Sequence, residues 1–205
     1  MSDTTSSVID TGALFLRHLT LDDTATMLRL SQEQGARVWL PNQVYADDAQ
    51  ALEVLRFLSS QYGPSASARH TPYVLGVCLS ASHELIGHVG FSPCEYGVEV
   101  GYAIGDAHQN RGYAKQAVLA ATTWALSRFD LPFICAVVAA ENAKSCKVLE
   151  SCGFQLLAVI QRELHGVDRL VRIYKHFNAT RRETYQPMKP TAPLRGNFNR
   201  LATAP

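Results

Sequence analysis

The chain has 205 residues, 47% of them apolar and 18% charged, with a formal net charge of +1. That length suits one domain with short tails, and the balance is that of a globular protein, which excludes a disordered chain, a collagen and a coiled coil. Its apolar runs fall far short of the ~20 residues a membrane span requires. The Ser/Thr-rich start from Met1 to Gly12 lacks the basic segment and apolar core of a secretory signal, and the arginines of a transit peptide.

In chain order, a first strand is expected over 13–19, and Thr20-Leu-Asp-Asp23 supplies a capping residue and first-turn acid for a helix running to about Gln34. Asp47 or Asp48 opens a second helix that brings Leu52, Leu55 and Leu58 to one face. Residues 63–71 read as a loop. The apolar strands 73–79 and 85–91 are joined by Ser80-Ala-Ser-His-Glu84 into a hairpin. Strand 98–105 alternates strictly, with Val98, Val100, Tyr102 and Ile104 on one face and Glu99, Gly101, Ala103 and Gly105 on the other. A helix over 112–129 carries an apolar stripe through Ala114, Ala117, Val118, Ala121, Trp124, Ala125 and Leu126. The β-branched run 133–139 reads as a buried parallel strand. Residues 142–152 form a helix stopped at Gly153, and 156–164 with 170–177 close an antiparallel hairpin around His165-Gly166. Strands, a βαβ unit and a hairpin make an α+β fold on a mixed, mostly antiparallel sheet.

Charge is unevenly spread. Beyond Asn178, Arg181, Arg182, Lys189, Arg195 and Arg200 face Glu183 alone, a net +4 that leaves −3 for the rest. A body of that sign is no dedicated nucleic-acid binder. The boundaries follow as a flexible N-terminus over 1–11, one domain over 12–178, and a basic, Pro-containing tail over 179–205 whose spacing encodes no particular partner. Five cysteines (Cys78, Cys94, Cys135, Cys146 and Cys152) form no C-x-x-C pair and are odd in number. They read as free thiols of a reducing cytosol, with no zinc site.

The most informative segment is His108-Gln-Asn-Arg-Gly-Tyr-Ala114, set between a strand and a long helix. The first amides of a helix have no internal partners and its dipole favours negative charge, so this is an anion site. Gly112 lets the backbone approach a phosphate, Ala114 does not obstruct one, and Arg111 adds a charge-assisted contact. A pyrophosphate is the natural guest. The single Gly112 does not make the G-x-G-x-x-G of a dinucleotide fold, and no P-loop Gly-Lys-Ser/Thr follows.

Gln109-Asn-Arg-Gly-Tyr-Ala114 resembles the Q/R-x-x-G-x-G/A signature of the GNAT acyl-CoA N-acetyltransferases, and it follows a strand containing Glu99-Val-Gly-Tyr102. Glu141-Asn-Ala-Lys-Ser145 and Val148-Leu-Glu-Ser-Cys-Gly-Phe154 resemble the N-x-x-S-x-x-V-L-x-x-x-G-F segment of that superfamily's RimJ/RimL-like, ribosomal-protein N-acetyltransferase branch. Leu16-Arg-His-Leu-Thr-Leu-Asp-Asp23 is similar to the branch's first strand and helix. Together the resemblance covers roughly residues 12–177. It implies a GNAT fold whose central parallel strands, 98–105 and 133–139, splay apart between flanking helices. The pantetheine of acetyl-CoA would lie in the gap against the backbone of Tyr102, Ala103 and Ile104. Its pyrophosphate would rest on Gln109, Asn110, Arg111, Gly112, Tyr113 and Ala114, and its thioester would end near Asn142 and Ser145. The implied activity is direct acetyl transfer from acetyl-CoA to a primary amine, without metal, in the cytoplasm. A protein N-terminus and a small amine both stand open as acceptor, and the family often forms homodimers.

Such a transfer needs a neutral amine, a donor to the thioester oxygen, and a proton or hydrogen bond for the departing thiolate. The resemblance aims Ser145 at the sulfur. Many superfamily members carry a tyrosine acid four residues further on, where this chain has Leu149. Glu99 is the leading base, acting through water, because alternation sets it opposite Val98 and Val100; Glu163 on the closing hairpin is its rival. Each has a plainer reading. Ser145 also suits a helix start, and Glu99 also suits pairing with a basic residue of a neighbouring strand. Glu163 also suits a structural place beside Arg162 on a solvated hairpin face, and His88 and His108 read as satisfied or exposed. Cys146, Tyr113 and Trp124 read as packing residues. The alternative of another class is a module that keeps the CoA cleft for regulation without turnover.

Overall fold

The computed structural model describes residues 7–179; the first six residues and all but the first of the expected tail lie outside the described residues. The strands are β1 (Ser7–Asp10), β2 (Leu14–His18), β3 (Tyr73–Leu79), β4 (Leu85–Cys94), β5 (Gly97–Ile104), β6 (Phe133–Ala139), β7 (Gln155–Leu164) and β8 (Val167–Phe177). The helices are α1 (Thr24–Ser31), α2 (Gln34–Trp39), α3 (Asp48–Ser60), α4 (Tyr113–Arg128) and α5 (Ala143–Ser151). One eight-stranded sheet runs in the order β1-β2-β3-β4-β5-β6-β8-β7. Among the described residues only the β5–β6 junction is parallel. The α+β, mixed-sheet architecture read from the sequence is the one found.

Local chemistry sets most of the element ends. The Asp47 carboxylate accepts the Gln50 amide at 2.9 Å and starts α3, and Asn142 accepts the Ser145 amide at 3.1 Å and starts α5. Helix α5 stops at Gly153, with φ +81°, and the Phe154 amide returns to the Leu149 carbonyl at 3.1 Å. Between β7 and β8, His165 and Gly166 both have positive φ, the turn that matches the twist of a two-residue hairpin. The capping residue Asp23 is buried, accepts the Thr20 amide at 2.8 Å and forms a two-pronged pair with Arg17 at 2.7 and 2.8 Å.

Two differences from the sequence reading have tertiary causes. Residues 7–10, read as part of a flexible N-terminus, pair antiparallel with β2 as an edge strand, and Val8 and Ile9 pack on the core. The first helix ends at Ser31 instead of continuing to Gln34, and the chain restarts as α2. The break falls at Glu33, whose backbone is extended and whose carboxylate accepts the Asp106 amide at 2.6 Å, in the loop after β5. A contact 73 residues away in sequence thus outweighs one more helical turn.

Each face of the sheet buries its own layer. Leu16, Leu75, Ile86, Val98 and Val100 join Ala117, Val118, Ala121, Ala125 and Leu126 of α4 and Leu149 of α5. On the other face Phe15, Leu19 and Leu85 join Met27 and Leu30 of α1 and Val54, Leu55 and Leu58 of α3. Gly87, facing Ile104 across β4–β5, is a close approach of backbones: a Cβ there would run into the Ala103 carbonyl oxygen. Gly87→Ala should therefore cost about 1–3 kcal/mol by overpacking, a melting temperature lower by roughly 2–10 °C for a domain this size. Calorimetry on Gly101→Ala provides the control, because a Cβ at Gly101 meets nothing within 4 Å and no loss is expected.

Candidate active site

Strands β5 and β6 meet at a single register pair, Glu99 with Cys135. Strand β6 is held along its whole length by β8, from Phe133↔Phe177 to Ala139↔Val171, and so cannot follow β5 beyond that point. The two strands diverge into a cleft of about 1770 Å³. Gly101, Tyr102, Ala103 and Ile104 line one side of it, and Ala136, Val137, Val138 and Ala139 the other. A strand edge left without a partner offers amides and carbonyls to an extended ligand.

One end of the cleft reaches the start of α4. Gly112 caps that helix with φ +80°, and Asn110 also has positive φ. The loop before it is braced: the Gln109 side-chain amide donates to the Ile104 carbonyl at 3.1 Å and to Asp106 at 2.8 Å. Gln109 thus uses its side-chain amide inside the loop, and it lines the cleft together with Asn110, Gly112, Tyr113 and Ala114. Arg111 is exposed and is not among the lining residues. Lys115, Lys144 and Lys147 are, and the sequence reading passed them over. Their signal was available, since Lys115 sits in the first turn after the glycine and the other two flank Ser145.

At the start of α5 the Ser145 hydroxyl lies 2.8 Å from the Tyr102 phenol, which also approaches the Ser145 carbonyl at 3.3 Å. Burial pushes the Tyr102 phenol above its ordinary range. Leu149, one turn on, is fully buried. The sequence singled out Tyr102 for its backbone; its hydroxyl reaches Ser145 only because β5 and α5 are packed together in the fold.

Towards the floor of the cleft, Glu99 accepts the Val137 amide at 3.2 Å. Burial pushes its carboxyl up from 4.5 to about 7, against the opposing pull of that amide and of Arg162. Arg162 is held by Glu95 and by the Tyr96 hydroxyl at 3.2 Å. Glu163 opposes Asp168 in the hairpin register and is exposed at the rim. His88 sits across from Ala103 with Nε2 3.1 Å from the Gln43 side-chain oxygen, and burial lowers its pKa to about 4. His108 pairs with Glu84 at 3.2 Å. The mouth beyond Glu99 is lined by Trp39, Asn42, Tyr96, Leu164 and His165. Glu99 and Ser145 therefore open on one cleft, with Glu163 at its edge. Among the described residues no group of three or more His, Cys, Asp or Glu is placed to hold a metal ion.

The cleft thus combines a strand edge left without a partner, a helix start with a left-handed glycine, and three lysines carried on α4 and α5. Comparison with known proteins supplies the family. A family model described as Acetyltransferase (GNAT) domain matches residues 13–155. The uncharacterized N-acetyltransferase p20 of Bacillus licheniformis is 24% identical over 176 residues, which cover 84% of this chain and 96% of that protein. RimL, a ribosomal L7/L12 alpha-N-protein acetyltransferase solved with coenzyme A, superposes with a TM-score of 0.70 at 16% identity, over 84% of this chain and 98% of that one. The spermidine N-acetyltransferase of Vibrio cholerae, solved with CoA and spermine, superposes at 0.67 with 20% identity, over 82% of this chain and 96% of that one. With most of its length matched by the family model and its sheet splayed where that family splays, the chain belongs to the GNAT acetyltransferases.

Proposed function

We propose that the chain transfers acetyl from acetyl-CoA directly to a primary amine in the β5–β6 cleft, with Glu99 as base and Ser145 as the group that receives the leaving sulfur. The observation that carries this reading is the opening of Glu99 and Ser145 onto one cleft that is also lined by the start of α4 and by Lys115, Lys144 and Lys147. The free edge of β5 at Tyr102, Ala103 and Ile104 pairs with the amide groups of pantetheine. The amides of residues 110–114 and the three lysines hold the phosphates. The Glu99 carboxylate, through water, takes the proton of the incoming amine. As nitrogen bonds the carbonyl carbon and the carbon–sulfur bond breaks, the Ser145 hydroxyl donates to the thiolate. Glu163, exposed at the rim, remains the second candidate for the base.

For the acceptor we favour a protein N-terminus, in keeping with the RimJ/RimL-like motif around Ser145 and with the likeness to RimL. A small polyamine is the second acceptor class, on the likeness to the spermidine enzyme. The free cysteines suit a reducing compartment such as the cytoplasm.

Acetyl-CoA and CoA at a hundred times their dissociation constants should each stabilise the fold by about 2.7 kcal/mol, and NAD should not. A melting curve that ignores both CoA forms would reject the reading. Turnover assayed with short peptides and with spermidine then decides between the acceptor classes. Ser145→Ala should lower kcat about tenfold, the worth of one hydrogen bond, and leave CoA affinity unchanged. Because Glu99 must be ionised to act, kcat/KM should rise with pH through about 7. Glu99→Gln should lose that limb and about 10²–10⁴ in rate; a limb that survives would shift the role to Glu163. Stability moves the other way. The raised Glu99 pKa favours the native state below about 4.5, and this contribution is lost as pH rises through about 7. Glu99→Gln should therefore gain melting temperature relative to the parent between pH 5 and pH 8.

A further inference from the structure

The Tyr102–Ser145 contact has a directional consequence. A serine hydroxyl carries one proton and two acceptor lone pairs. The Ser145 amide is already taken by Asn142, which fixes the first turn of α5. Apart from Tyr102, the Ser145 hydroxyl has no hydrogen-bond partner among the described residues. A phenol is a stronger acid than an alcohol, and of its two acceptors at Ser145 the hydroxyl oxygen at 2.8 Å is nearer than the carbonyl at 3.3 Å, so in this pair Tyr102 is the better donor and the serine oxygen the acceptor. The tyrosine is partly buried, packed against the core that α4 shares, and it lines the cleft.

We infer that Tyr102 is a positioning residue for the leaving group: by donating to Ser145 Oγ, it leaves the serine's single proton free to point at the coenzyme sulfur. This rests on the acetyl-CoA reading above. When the carbon–sulfur bond breaks, its electron pair stays on sulfur and the amine's proton passes to the Glu99 carboxylate. Tyr102 and Ser145 keep their own protons. Two consecutive hydrogen bonds, Tyr102 to Ser145 and Ser145 to sulfur, spread the thiolate charge, and solvent later protonates the thiolate while Glu99 releases its proton. Burial, which keeps the Tyr102 phenol protonated well above neutral pH, makes it a constant donor over the working range. The chain thereby places a tyrosine hydroxyl behind its serine although the helix position one turn beyond Ser145 is the buried Leu149.

The test needs no acceptor amine. CoA is bound to the parent protein, to Tyr102→Phe, to Ser145→Ala and to the double variant. Its thiol is titrated by the ultraviolet absorbance of the thiolate, taken as the difference from the complex with desulfo-CoA. In the parent the bound thiol should ionise about one pH unit lower than in Tyr102→Phe, the size of one hydrogen bond. The double variant should titrate like Ser145→Ala alone, because the phenol acts only through the serine. CoA affinity of Tyr102→Phe should stay within about twofold of the parent, as expected when only the sulfur end changes. An unshifted thiol in Tyr102→Phe with CoA fully bound overturns the inference, and so do shifts that add in the double variant. Absence of CoA binding by the parent would instead overturn the coenzyme reading, and the inference with it.

Discussion

Everything in the site depends on β6 being committed to β8. Seven consecutive register pairs tie those strands together, and β6 touches β5 at one pair only. Past Glu99 the sheet has to open, and an open seam inside a domain leaves backbone groups that want partners. The Val137 amide is such a group, and the Glu99 carboxylate takes it. The residue best placed to satisfy the seam is thus also the titratable group on the cleft floor. The helices that follow each strand complete the opening, with α4 starting at one end of it and α5 at its side.

Burial pushes three groups along the cleft, Tyr102, His88 and Glu99, in the same sense, toward the neutral form. It lifts Tyr102, lowers His88 to about 4, and lifts Glu99 only as far as about 7, because the Val137 amide and Arg162 oppose it. Arg162 is itself engaged by Glu95, which keeps its charge from pulling Glu99 back to an ordinary value. The fixed cations Lys115, Lys144 and Lys147 instead lie on the helices α4 and α5. The shifted groups Tyr102, His88 and Glu99 and the lysines thus sit on different elements of the one cleft.

What the sequence made legible was local. The stop at Gly153 and the turn at His165-Gly166 depend on a few neighbouring residues and were read as found, while the helix starts at Asp47 and Asn142 were read to within a residue. The strict alternation of β5 placed Glu99 opposite the buried Val98 and Val100. What escaped depended on distance along the chain. Glu33 breaks the first helix to reach Asp106, 73 residues away; Tyr102 meets Ser145 across 43 residues; Arg162 meets Glu95 across 67. No periodicity encodes such partners. Gln109 shows a subtler limit, because its place in the motif was readable while the use of its side chain, tying the loop to Ile104 and Asp106, was not. The short β1 has no alternation to betray it and exists because β2 offers an edge.

Beside the larger Val118, Thr122 and Leu126, three of the six buried residues of α4 are alanines, Ala117, Ala121 and Ala125. Side chains this short bring the helix axis down onto the strands, as close packing requires. The depth of that seating fixes the height of the first-turn amides over the seam. A row of leucines would fill the same interface with more apolar area, yet it would jack the helix outward and carry Gly112 and its neighbours away from the strand edge they serve. The alanines act as a spacer of minimum thickness, so the placement of the α4 start is set from about one to about four turns away, by residues that do not line the cleft.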